Sequence, residues 1–271
     1  MLPALASDFR IRLVSSLVLA AFAIFFGWLG GLWFALLMTL IAAIMLWEWT
    51  VMTLRVIDIR RDVLAFVCIL SLIASMLIAR SITPIILSLA LVAAGGLTVR
   101  FFEKKSGWSI AAIGIASGLP LCLIYLRTYP DEQGLGLNLL VFLCFTVWAA
   151  DIFAYLVGRA VGGPKLMPKV SPKKTWSGFV GGVLGAILIG SLVAEYCFGG
   201  ATLRLALIAF LLSLVAQAGD LMESAIKRRF NVKDASNLIP GHGGLLDRVD
   251  GLTLAAYAFA LICAIAFPIE A

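Results

Sequence analysis

Residues 201–222 read ATLRLALIAFLLSLVAQAGDLM, and residues 223–251 continue ESAIKRRFNVKDASNLIPGHGGLLDRVDG before the chain turns apolar again. The first segment has the length and apolarity of a membrane-spanning helix. The second holds five of the 21 Lys and Arg residues and the single histidine. Charged groups packed this closely between apolar segments are costly to hold beside a bilayer unless they bind something charged. The junction therefore predicts a membrane protein with a polar site at one end of its helices.

Composition extends that reading to the whole chain. Its 271 residues are 62% hydrophobic and only 13% charged, with a mean hydropathy of +1.07, whereas soluble domains carry about 25% charged residues. The sequence predicts an all-α polytopic membrane protein with about nine spans of ~20 residues. They are Leu13–Leu29, Leu32–Leu54, Val63–Ala79, Pro84–Val99, Trp108–Leu126, Leu137–Val157, Gly178–Phe198, Ala201–Met222 and Leu252–Phe267. Gly27, Gly30 and Gly31 divide the first two into a hairpin, and Pro120 is expected to kink or loosen the fifth. RTYPDEQGLG, residues 127–136, reads as a loop. Arg10, Arg12 and Ala21-Phe22-Ala23 imitate a cleavable signal peptide, but the apolar run continues to Leu29 and reads as a retained span. The organisation expected is residues 1–107 as N-terminal helices, 108–177 as middle helices with a basic loop, and 178–271 as C-terminal helices carrying the polar stretch. Cys68, Cys122, Cys144, Cys197 and Cys263 all lie in apolar runs, which reads as inert thiols rather than a disulfide framework or a zinc site.

Orientation follows from where the positive charges fall. With the N-terminus in the cytoplasm and alternating spans, 18 of the 21 Lys and Arg lie on the inner side, leaving Arg80, Arg127 and Arg204 outside. The C-terminus is then periplasmic, or outside. The net charge of +6 thus reads as an orientation signal and not as a nucleic-acid surface. Asp151, Asp220, Asp247, Asp250 and the basic loop at 158–177 all fall on the cytoplasmic side, where they can converge.

Asp220, Glu223, Ser224 and Lys227 are spaced to share one helix face. A helix end closed by a salt bridge to Lys227 is one reading. A carboxylate at the end of a membrane span is also a functional candidate, and Asp220 could share a divalent cation with Asp247. In Pro240–Gly244, Gly243 and Gly244 could bring backbone N–H groups close to an anion, or form a plain turn. His242 could contact phosphate, though a lone histidine is more often structural. Asp247-Arg248-x-Asp250 places two carboxylates at i, i+3 at a helix start; capping is one reading, but it does not explain an adjacent Arg at a glycine-rich loop. Lys169, Ser171, Lys173, Lys174 and Thr175 would suit phosphates or an anionic lipid surface. Asp151 and Tyr155 share a face one helical turn apart. Glu48, between Trp47 and Trp49 near the inner end of the second span, could simply snorkel and is left unassigned.

From Ser224 to Asp250 the chain reads S-x-x-K-R-x-x-x-x-K-D-x-x-x-x-x-P-x-H-G-G-x-x-D-R-x-D. This pattern resembles the signature of the phosphatidate cytidylyltransferases, or CDP-diacylglycerol synthases. Asp151-Ile152-Phe153-Ala154-Tyr155 and SPKKTWSG (171–178) resemble the same family, so the likeness covers the C-terminal half. Ser177 departs from it, standing where the family often has Glu, and is assigned no role.

The resemblance implies the reaction CTP + phosphatidate → CDP-diacylglycerol + pyrophosphate, with Mg²⁺ and a second cation such as K⁺. It implies Asp220 and Asp247 as metal ligands; the residues themselves offer Glu223 and Asp250 as further carboxylates for a hard cation. Lys169, Lys173, Lys174, Lys227, Arg228, Lys233 and Arg248 would meet the phosphates of CTP and phosphatidate. It further implies a homodimer in the inner membrane whose partners are CTP and membrane lipid, with no nucleic acid. The nucleophile would be an anionic phosphate monoester, so the chemistry calls for charge neutralisation rather than a general base. An ion-coupled permease is the rival from another class, disfavoured because the charges gather at one face and no repeat is visible. A CTP-dependent lipid kinase, or an enzyme for another lipid phosphate, is the closer rival. The DGxxAR motif of CDP-alcohol phosphotransferases is absent from the chain.

Overall fold

The computed structural model describes residues 15, 18–54, 59–102, 105–129, 134–241 and 243–266. Arg10, Arg12, Arg55, Lys104 and His242, all used in the sequence reading, lie outside the described residues. Helices dominate: α1 (Val18–Leu29), α2 (Gly31–Leu54), α3 (Ile59–Ala79), α4 (Thr83–Phe102) and α5 (Lys105–Arg127) come first. They are followed by α6 (Leu135–Val161), a short ribbon, α7 (Trp176–Phe198), α8 (Leu203–Arg229) and α9 (Leu246–Ala266).

Among the described residues seven helices are long and apolar enough to cross a membrane, namely α2 and α4 to α9. The chain is a multi-pass membrane protein. Two of the expected spans have shorter apolar stretches, Val18–Leu29 and Asp62–Ile78. Arg60, Arg61 and Asp62 open α3, so its first turn is charged.

The chain packs as two units. One gathers the residues up to Thr128 together with Val232–Val249. Its centre is α5, which packs against α2, α3 and α4 and buries Ala116, Leu119, Leu121, Cys122, Ile124 and Leu126. Pro120 sits inside α5, which runs on as helix to Arg127. The backbones of α4 and α5 approach closely: a Cβ on Gly114 would come 2.4 Å from the Ser88 carbonyl oxygen. The indole Nε1 of Trp49 on α2 donates to the Trp108 carbonyl on α5 at 3.0 Å. Gly30 breaks the first hairpin at a φ of +64°, a conformation that favours glycine. Beside it the Arg127 guanidinium closes α1, with Nε donating to the Gly27 carbonyl at 2.8 Å and Nη2 to that of Trp28 at 3.3 Å.

The second unit holds Tyr129–Asn231 and the residues from Asp250 onward. Here α6 and α7 pack with little between them. Added Cβ atoms on Gly178 and Gly182 would lie 2.7 and 2.8 Å from the carbonyl oxygens of Ala154 and Ala150. Lipid tails give helices no hydrophobic reason to associate, so small residues and close backbone contact hold them together. Phe142 on α6 packs against Phe198 of α7 and Phe259 of α9.

The basic loop departs from the all-α expectation. β1 (Lys165–Met167) and β2 (Ser171–Thr175) pair antiparallel, with Lys165 opposite Thr175 and Met167 opposite Ser171. The ribbon feeds directly into α7, because Thr175 ends β2 and its hydroxyl accepts the Gly178 N–H as the helix N-cap at 3.1 Å.

Candidate functional site

In the second unit the site begins where α8 changes character. Up to Ala218 the helix is mostly apolar, burying Ile208, Ala209, Leu212 and Ala216, and from Asp220 onward it carries charged side chains. Gly219 and Gly251 bring α8 against α9: a Cβ on Gly251 would lie 2.9 Å from the Ala216 carbonyl oxygen, and one on Gly219 3.0 Å from that of Asp250. The close approach sets Asp250 beside the polar end of α8.

The expected face of α8 is present, and the salt bridge to Lys227 that its spacing allowed is made by Glu223. The Lys227 ammonium lies 3.2 Å from Glu223 Oε1, and both side chains are buried, at 9% and 11% exposure. Asp220, with a side chain 28% exposed, is bridged through Oδ2 by the ammonium of Lys174 from β2, and its Oδ1 accepts from Ser224 Oγ at 3.4 Å. The ribbon therefore carries one lysine of SPKK onto the α8 carboxylate. Asp250 is half-buried, accepts its neighbour Gly251's N–H at 2.7 Å, and lies within the electrostatic reach of Asp220, Lys227 and Asp151. Asp151, Asp220, Asp250, Lys174 and Lys227 thus come together within this unit.

Of the other lysine, arginine and hydroxyl candidates, Lys233 and Arg248 belong to the first unit and the rest to the second. Lys169 at the turn of the ribbon, Lys173, Arg228 and Lys233 are exposed. Tyr155 is exposed and its hydroxyl accepts from Arg159 Nη1 at 2.9 Å, rather than turning to Asp151. The Thr175 hydroxyl serves as the α7 cap and also contacts Ser177 Oγ at 3.0 Å. Ser171 is half-buried.

The first unit holds the glycine-rich stretch, and here the sequence reading missed the organising group. Glu48 on α2 is not snorkelling; it is fully buried, at 0% exposure. Its Oε1 accepts from Ser236 Oγ at 2.6 Å and from the Leu245 N–H at 2.8 Å, and its Oε2 from the Leu246 N–H at 2.7 Å. Asp247, also buried, takes two more N–H groups on Oδ2, from Ala235 and Gly244, each at 2.8 Å. Gly243 has a φ of +86° and exchanges hydrogen bonds with Ile239 across a tight turn. The N–H groups of Gly243 and Gly244 accordingly bond within the chain, to Ile239 and Asp247, instead of facing outward toward an anion. Arg248, one residue on, is exposed. The one sequence signal for Glu48 is a carboxylate within an otherwise apolar span, flanked by two tryptophans.

Among the described residues no group of three or more His, Cys, Asp and Glu side chains is placed to hold a metal ion by itself. Mg²⁺ characteristically takes one or two carboxylates and completes its shell with water and substrate phosphates.

The sequence model of the cytidylyltransferase family matches residues 10–266. A phosphatidate cytidylyltransferase of Brucella abortus biovar 1 (strain 9-941) is 36% identical over 261 residues, covering 96% of this chain and 94% of that relative. One from Rickettsia bellii (strain RML369-C) is 41% identical over 176 residues, covering 61% of this chain and 74% of its own length. One from Bacillus subtilis (strain 168) is 39% identical over 152 residues, covering 55% of this chain and 54% of that relative.

Proposed function

The chain belongs to the cytidylyltransferase family, and from that premise we propose that it is a phosphatidate cytidylyltransferase, moving CMP from CTP to phosphatidate and releasing pyrophosphate. The observation that carries the reading is the Lys174–Asp220 pair beside Asp250, Asp151 and Lys227, set at the polar end of a membrane helix. A phosphate monoester oxygen of the lipid attacks the α-phosphorus of CTP. The new P–O bond forms as the bond from the α-phosphorus to the bridging oxygen breaks, and the electron pair leaves with pyrophosphate. The nucleophile is already anionic, so no side chain has to remove a proton. What the chain must supply is positive charge and orientation for two polyanions.

In this reading Lys169, Lys173, Lys174, Arg228, Lys233 and Arg248 bind phosphate oxygens, and Lys227 adds positive charge while holding Glu223. Asp220 and Asp250, which lie together in the second unit, are the carboxylates suited to Mg²⁺ there, and the family likeness adds Asp247, and the helical spacing Glu223, as candidates, with K⁺ as a second cation. Two carboxylates, with substrate phosphates and water completing the shell, are a donor set that a hard cation accepts. When bound, Mg²⁺ would neutralise charge on the transferring phosphoryl group. Lys174 matches Asp220 when no polyanion is bound, and it can turn to phosphate as substrate arrives. The enzyme would work as a homodimer in the inner membrane, its site open to the cytoplasm for CTP and to the bilayer for lipid.

The decisive experiment is pyrophosphate release by the detergent-solubilised protein with CTP, Mg²⁺ and phosphatidate, each omitted in turn. Release that requires all three, with CDP-lipid formed in equal amount, is expected. Folded protein that binds lipid yet releases nothing would refute the assignment and direct attention to other lipid phosphates or to solute transport.

A further inference from the structure

We propose that Glu48 is a positioning residue for the transfer reaction: it clamps both ends of the segment from Ser236 to Leu246 and so sets Asp247 and the glycine turn. The inference rests on the cytidylyltransferase reading for its effect on turnover, but its structural part stands on the contacts alone.

A carboxylate buried at 0% exposure in an apolar helix is costly unless hydrogen bonds replace its water. Three donors do so here, and all three come from the segment that follows α8. They are not neighbours in sequence: Ser236 opens the segment, and Leu245 and Leu246 close it. Both ends are therefore drawn to one side chain almost 200 residues earlier. Asp247 grips the same segment through Ala235 and Gly244. Two carboxylates from opposite ends of the chain thus hold one loop, and the amides of Gly244, Leu245 and Leu246 all end on them. Since Leu246 immediately precedes Asp247, the position of the Asp247 carboxylate depends on the grip of Glu48. Gly244 is fitted to that grip, because a Cβ there would lie 2.7 Å from Glu48 Oε1. Helix stability alone would be served better by an apolar residue at this position. Glutamine has one acceptor oxygen and an NH₂, so it must leave one of the three donors facing another donor. Aspartate keeps both oxygens but withdraws them by about 1.5 Å, one bond length.

The test compares the full-length detergent-solubilised protein with Glu48→Gln, Glu48→Asp and Ser236→Ala. Three quantities are read: kcat and KM for CTP and phosphatidate, thermal unfolding, and amide hydrogen exchange by peptide. For Glu48→Gln we expect kcat to fall by at least roughly tenfold, with KM changed far less. Exchange should accelerate in peptides spanning 236–247 and stay unchanged in α6 and α7. Glu48→Asp should behave similarly, and Ser236→Ala, which removes one donor, should fall between. A Glu48→Gln protein with wild-type kcat would overturn the proposal, whether or not exchange changed. So would exchange that rises throughout the chain with turnover per folded molecule preserved, since that describes simple destabilisation. If the wild-type protein releases no pyrophosphate, the reading of the reaction fails. The exchange measurement then decides by itself whether Glu48 holds the loop: unaltered exchange at 236–247 overturns it.

Discussion

Lys174 and Asp220 neutralise each other, yet each is only partly shielded, with side chains 28% exposed. Such a pair contributes little to stability, so its substitution should be felt in function. Lys174→Met is expected to lower kcat/KM on the order of 100-fold while leaving thermal unfolding within a degree or two, as steady-state assays and a melting curve would show. Glu223 and Lys227 present the opposite case. Both are buried, so removing one leaves the other charge poorly compensated. Lys227→Met is expected to destabilise the folded protein by about 3 kcal/mol. The double change Lys227→Met with Glu223→Gln should recover part of that loss in a denaturation cycle; strict additivity of the two single changes would contradict the pairing. The polar face of α8 was legible because helical spacing alone places Asp220, Glu223, Ser224 and Lys227 together. The salt bridge to Lys227 was legible with it; the pairing of Asp220 was not, because Lys174 arrives from another element. Glu48 was illegible for the same reason: its donors lie almost 200 residues downstream, so locally it reads as an isolated carboxylate at a span end.

Among the elements, the apolar runs announced their helices well, since a buried backbone in lipid must satisfy its own hydrogen bonds. The ribbon at 165–175 escaped notice because its residues are mostly exposed, leaving no alternation of apolar and polar positions to read. Its junction with α7 can be tested. Thr175→Val removes the N-cap acceptor and is expected to cost about 1 kcal/mol, visible as faster exchange in the first turn of α7, whereas Thr175→Ser should restore protection. The α6–α7 contact is tighter still. Gly182→Ala would set a methyl group 2.8 Å from the Ala150 carbonyl oxygen. A loss of ~1–3 kcal/mol from overpacking is expected, and a melting curve would register it.

For the molecule as a whole, the unequal spread of 18 and 3 basic residues is the basis for orientation. In a variant lacking the five native cysteines, Lys169→Cys is expected to react with an impermeant maleimide only from the cytoplasmic face. Gly200→Cys, between α7 and α8, should react only from the opposite face. Both labelled from one side would refute the alternating arrangement.

The guanidinium that closes α1 also has a meaning in time. Arg127 is separated by a hundred positions from the Gly27 carbonyl to which it donates. At about 5–20 residues per second of synthesis, that partner leaves the ribosome roughly 5–20 s later. Until then the end of the first hydrophobic helix carries open carbonyls. The nascent chain must wait for its fifth helix before the first has this closing contact, so packing in this half of the protein is not completed in the order in which the sequence is written.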